Sequence, residues 1–154
     1  MSVPGDFRLV DGTVIDHLPV ASAARALDLL DLPREGPVTI GMNVPSKRYS
    51  RKDIIRVEGL VLGRAQLDRL ALLGEHVTVS IVEHGLVVEK TRLAVPERLV
   101  GILTCSNPTC VTSNGPVETI FLRLGGYPFR FRCAYCERVM NGELRQSSST
   151  PRFG

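Results

Sequence analysis

Four cysteines are the chain's whole complement, and they are spaced Cys105-x4-Cys110-x22-Cys133-x2-Cys136. Two close pairs bracketing about twenty residues suit a tetrahedral Zn²⁺ ion, because each tight turn offers two sulfurs and the intervening hairpin brings the pairs together. The pattern therefore predicts one structural Zn²⁺ per chain, held by Cys105, Cys110, Cys133 and Cys136 with no open position for catalysis. Residues 98–154 form a segment too small to gain much stability from its own core, so something must staple it. Two disulfides and a redox Cys-x-x-Cys are the competing readings. A reducing compartment argues against the first, and the lack of a thioredoxin-like β-α-β around Cys133 argues against the second.

Nothing at the start, "MSVPGDFRLVDG", reads as a basic region followed by an apolar stretch, and no apolar run approaches membrane-spanning length, so the expected setting is cytoplasmic with no membrane partner. Residues 1–97 carry 12 Lys/Arg against 13 Asp/Glu, and residues 98–154 carry 7 against 3. Four thiolates and a divalent cation would lower the second excess to about +2, a thin footprint for nucleic acid. A zinc-ribbon nucleic-acid-binding protein, using Arg123, Arg130, Arg132 and Arg138, is the rival from another class. No nucleic acid is expected as a partner.

The first segment alternates strand and helix signals. "GTVIDHLP" reads as a strand and "ASAARALDLLDL" as a helix with Ala23, Ala24, Leu27 and Leu30 on one face. "VTIGMNV" places Val38, Ile40, Met42 and Val44 at period two, and "KDIIRVEG" is a further strand reached through the basic loop "PSKRYSRK". "GRAQLDRLALLG" predicts a helix with Leu67, Leu70 and Ala71 inward and Gly74 at its C-terminal cap. "VTVSIV" and "LVVEKTRL" form a hairpin through "EHG". The order β-α-β-β-α-β plus a strand predicts an α+β, ferredoxin-like domain, followed by a small antiparallel-β zinc domain. In that second part, turns are expected at Asn114-Gly115, Gly125-Gly126 and Asn141-Gly142, with Phe129, Phe131 and Cys133 facing one way and Arg130 and Arg132 the other. The polar end, "RQSSSTPRFG", is expected to fray.

Lys52, Ile54 and Arg56 fall at i, i+2 and i+4 of one strand, so both cations share a sheet face, with Lys90 near them if the strands are neighbours. Such cations suit a triphosphate, and a solvated strand face accounts for them as well. Asp16 and His17 suit hydrogen bonds to a base or sugar, or a plain strand end. No Walker loop, Gly-rich dinucleotide turn or nucleophile-base constellation is present, so a bound nucleotide would be sensed, not hydrolysed.

The stretches "GTVIDHLP", "TIGMNVPS", "RKDIIRVE", "LAVPERL" and the cysteine set ending in "CAYCE" resemble the regulatory chain of aspartate carbamoyltransferase, from Leu9 to about Asn141. The resemblance implies a noncatalytic allosteric subunit in pyrimidine biosynthesis. Residues 1–97 would be the nucleotide-binding and dimerisation domain and residues 98–154 the zinc domain that contacts the catalytic chain. In the family, regulatory dimers bridge catalytic trimers, and CTP lowers and ATP raises activity in the best-known members. By the same resemblance, the nucleotide site uses the backbone near Arg8 and Leu9, Asp16 and His17 at base and ribose, Lys52 nearby, Arg56 and Lys90 at phosphates, and Val82 and Val87 at the base. Asn107 and Glu137 match positions at the catalytic-chain contact. Arg56 stands where the family pattern has lysine, Ser80 where it has asparagine and Gly85 where it has tyrosine. Arginine keeps phosphate affinity, whereas Ser80 loses an amide that reads a base or ribose, which leaves the effector's identity open.

Overall fold

The computed structural model describes residues 10–30 and 36–142. Arg8, Leu9, the last two residues of the first predicted helix and the polar C-terminal stretch lie outside the described residues. The chain divides into two compact units, Met1–Leu93 and Ala94–Gly154.

The first unit runs β1 (Gly12–Leu18), α1 (Ala23–Leu29), β2 (Val38–Ser46), β3 (Ser50–Glu58), α2 (Arg64–Ala71), β4 (Thr78–Glu83) and β5 (Leu86–Arg92). Its sheet has the order β2-β3-β1-β4-β5, with every neighbouring pair antiparallel. This is the expected ferredoxin-like α+β sandwich, with β5 added outside β4. Ile15, Leu18, Ile55, Val57 and Val79 cluster with Ala23, Ala26 and Leu30 around α1 and with Leu70 of α2. Each fully buried aliphatic side chain there is worth roughly 1.5–3 kcal/mol over its exposed state. The β4–β5 turn is His84-Gly85, at φ 51° and 77°, the paired left-handed geometry that a two-residue hairpin with twisted strands requires.

Several local expectations are corrected. On α1 the buried positions are Ala23 and Ala26, followed by Leu30 at its C-terminal cap, and Ala24 is exposed, because the buried stripe follows i and i+3. Gly74 is no left-handed cap, since α2 ends at Leu72 in right-handed geometry. A Cβ on Gly74 would lie 2.6 Å from Pro19 Cγ, so its role is close approach to the turn after β1. The loop between β2 and β3 is shorter than read, because Ser46 already pairs with Ser50. Period two along β2 fails at Val44: Gly41 pairs with Ile54 and Val44 with Lys52, so Met42 and Asn43 together oppose Asp53 in a bulge.

The second unit holds β6 (Arg98–Val100), β7 (Ile120–Arg123), β8 (Arg130–Cys133) and β9 (Val139–Asn141) in one antiparallel sheet of that order. Leu99, Phe121 and Phe131 fill its small core, and Arg130 and Arg132 alternate outward as expected. Asn141 is a strand residue paired with Arg130, not a turn.

Candidate functional site

The four cysteine sulfurs lie within 4.8 Å of one another. Cys105 Sγ is 3.5 Å from Cys136 Sγ, and Cys110 Sγ is 3.8 Å from Cys133 Sγ. A tetrahedral ion with metal–sulfur bonds of about 2.3 Å needs sulfur–sulfur edges of about 3.8 Å, so the residues fit a divalent metal of the zinc class. Cys133 comes from the end of β8, opposite Phe121 across the β7–β8 ladder, which anchors the cluster to the aromatic core. Cys105 and Cys110 come from the long β6–β7 connection, where Ser113 Oγ donates to Asn107 O at 2.7 Å and Thr112 Oγ1 donates to Cys110 Sγ at 3.2 Å. The sulfurs are electrostatically unequal: burial pushes the Cys105 thiol up to about 12, whereas a hydrogen bond from the Arg138 backbone leads those bringing Cys136 down to about 6. A bound divalent cation would hold all four as thiolates. Asn107 and Glu137 lie beside this cluster. Asn107 is half-buried and its Oδ1 accepts from Thr109 N, while Glu137 is exposed in left-handed geometry at φ 65°.

In the first unit the sheet face turned away from the helices carries Lys52, Ile54 and Arg56, as their alternation with buried Asp53, Ile55 and Val57 requires. Lys90 is not on a neighbouring strand, because β1 and β4 stand between β3 and β5. It nevertheless shares a cross-strand row, since Arg56 pairs with Val14, Val14 with Ser80 and Ser80 with Lys90. Three strand spacings, about 14 Å, separate the two ends of that row, and their long side chains bracket Ser80 at its middle. Ser80 and Val82 are only 8% and 6% exposed, whereas Val87, paired with Val82, is 61% exposed.

Simple alternation would send Asp16 and His17 to opposite faces. The structure instead puts both opposite Ile54, because Ile15 pairs with Ile55 and Leu18 with Asp53, with His17 at φ 55° in the resulting bulge. Asp16 Oδ1 accepts the His17 N–H at 2.6 Å and lies 2.8 Å from Lys52 Nζ. Asp53 braces this geometry from beneath. Its fully buried carboxylate accepts the Asn43 N–H of the β2 bulge at 2.8 Å and the Ala23 N–H at the start of α1 at 3.0 Å.

Burial lowers the His17 pKa below 6.5, with Asp16 opposing and Lys52, Lys90 and Arg48 reinforcing the shift. Arg48 was not singled out as a site residue in the sequence, although the basic stretch "PSKRYSRK" was its signal. Tyr49, Thr78 and His76 were missed too: His17 Nδ1 lies 2.9 Å from Thr78 Oγ1, and the Tyr49 ring sits against both histidines. Only the fold brings these positions together.

Residues 8–94 match the family described as aspartate carbamoyltransferase regulatory chain, allosteric domain, and residues 97–144 match its metal binding domain. The chain belongs to the aspartate carbamoyltransferase regulatory chain family. It is similar to the regulatory chain of Thermococcus sibiricus, with 40% identity over 133 residues, covering 86% of this chain and 89% of the relative. That of Thermococcus gammatolerans is 42% identical over 135 residues, at 86% and 89% coverage, and that of Methanocaldococcus jannaschii 37% over 134 residues, at 87% and 90%. Like these relatives, the chain is a noncatalytic regulatory subunit, and the clustered cysteines occupy its metal-binding domain. Among the described residues, no helix is long and apolar enough to cross a membrane.

Proposed function

We propose that this chain is the allosteric subunit of a cytoplasmic aspartate carbamoyltransferase in pyrimidine biosynthesis, binding CTP or ATP on the far face of the first unit. The observation that carries this reading is the Asp16–Lys52 ion pair beside His17, on the sheet face that also holds the cross-strand row of Arg56 and Lys90. The cations take the phosphates. Asp16 and His17 offer hydrogen bonds to ribose and base, Val82 and Val87 supply apolar contact, and Ser80 replaces a longer amide reader.

Zn²⁺ at the four cysteines keeps the second unit folded and so preserves its contact, through Asn107 and Glu137, with the catalytic chain. Strand β2 is a sheet edge whose Ile40 and Met42 are 41% and 53% exposed, which suits pairing with a second regulatory chain. A nucleotide that binds the two quaternary states unequally shifts the catalytic partner by that difference, typically about 1–3 kcal/mol. The test is to mix purified chain with catalytic trimer and titrate CTP and ATP while following carbamoyltransferase activity. Unchanged activity with no co-elution of the two chains would refute the reading.

A further inference from the structure

The β2–β3 tip reaches over the far face and ends in a stack of rings. Tyr49 meets the His17 ring edge-on, with centroids 5.7 Å apart and planes at 83°. On its other side it lies nearly parallel to His76, at 4.2 Å and 12°. His76 is in turn fixed, because Arg92 Nη2 lies 3.1 Å from its Nδ1. Arginine only donates, so that nitrogen is the acceptor and the His76 ring proton is on Nε2, toward Glu75 Oε2 at 3.6 Å. Arg92 also donates to Glu75 O at 3.2 Å. The ladder His17–Tyr49–His76–Arg92 thus ties together β1, the hairpin tip, the approach to β4, and β5.

The tip is shaped to deliver the ring. Ser46 Oγ accepts the N–H groups of Arg48 and Tyr49 at 3.4 and 3.2 Å, Tyr49 O accepts the Arg51 N–H at 2.8 Å, and Ser50 is left-handed at φ 66°. His17 needs such support, because it sits on a bulge, where the ladder no longer dictates the direction of its side chain. Thr78 fixes one ring nitrogen, and the Tyr49 ring blocks rotation of the imidazole plane.

We propose that Tyr49 is a positioning residue of the effector site, holding the His17 imidazole toward the base and ribose of a bound nucleotide. This rests on the nucleotide-binding reading above. The ring is what matters, so Tyr49→Phe keeps the function and Tyr49→Leu loses it. An edge-to-face contact predicts a loss of roughly 3- to 10-fold in affinity. The phosphate-binding cations are left in place, so the deficit belongs to the nucleoside end.

The experiment is calorimetry on the full chain with ATP, CTP and inorganic tripolyphosphate, for wild type, Tyr49→Leu and Tyr49→Phe. The expected result is weaker nucleotide binding by Tyr49→Leu, near wild-type binding by Tyr49→Phe and equal tripolyphosphate binding by all three. If Tyr49→Leu binds nucleotides as wild type does, the positioning role is wrong and the effector site stands. If it loses tripolyphosphate in equal measure, or Tyr49→Phe is equally impaired, the ring is not acting through the nucleoside end and the inference also fails. Wild type that binds neither nucleotide overturns the inference together with the reading beneath it.

Discussion

Lys52 Nζ lies 2.8 Å from Asp16 Oδ1 and 3.1 Å from Oδ2, bridging β3 to the bulge of β1. Each side chain is about one-fifth exposed, at 19% and 21%. Under the proposed function Lys52 contacts a phosphate, so for Lys52→Ala the CTP or ATP affinity should fall about tenfold, equivalent to about 1.4 kcal/mol. Stability should change by no more than about 1 kcal/mol, because the pair is partly screened by solvent. Calorimetry and urea unfolding separate the two effects. Unaltered affinity would remove Lys52 from the site.

His17 supplies the pH dependence. Its ring is held below 6.5 by burial and by Lys52, Lys90 and Arg48, against Asp16, with Thr78 and Tyr49 as its uncharged neighbours. The folded chain resists this proton, so the associated stability is present above about pH 6.5 and lost as pH falls through the folded value. Under the proposed function a triphosphate neutralises Lys52, Lys90 and Arg48, the cations that oppose the imidazolium, and so raises that pKa; binding then takes up a proton and this contribution to affinity grows as pH falls. NMR titration of the His17 ring with and without ATP should show the upward shift. A downward or absent shift contradicts the placement of the phosphates.

Asp53 should matter well beyond its size. Asp53→Ala strands the buried Ala23 N–H without an acceptor, removes the acceptor of the Asn43 N–H, and should cost about 2–4 kcal/mol. Asp53→Asn keeps one carbonyl acceptor and should cost less. Urea midpoints measure both, and equal losses would mean that the carbonyl acceptor kept by Asp53→Asn contributes nothing.

Metal removal should act on one unit. Chelation, or Cys136→Ser, should unfold residues 98–142, whose core is little more than Leu99, Phe121 and Phe131, while the first unit keeps its own core. Limited proteolysis reports each unit separately, and cobalt(II) substitution should give thiolate charge-transfer and tetrahedral ligand-field bands. A second unit that resists protease after complete chelation would exclude a structural metal.

The strands were legible where polar and apolar residues alternate, as in Lys52–Val57, because sheet packing imposes period two on the side chains themselves. The cysteine cluster was legible for a related reason: ligand spacing is local in the chain and the metal geometry is strict. Bulges broke that legibility. Val44 faces opposite to its period, and Asp16 and His17, adjacent in sequence, share a face, because one extra residue opposite β3 resets the alternation.

The linear order of residues was enough to establish two units, a βαββαβ-plus-one succession, a four-sulfur metal set and two cations on one strand face, since each follows from short-range periodicity or spacing. It could not establish that Lys90 shares a cross-strand row with Arg56 across two intervening strands, that Asp53 ties the β2 bulge to the start of α1, or that Tyr49 stands between His17 and His76. Those depend on register and on contacts between positions far apart in the chain. Such contacts come into being only when the sheet closes around its core.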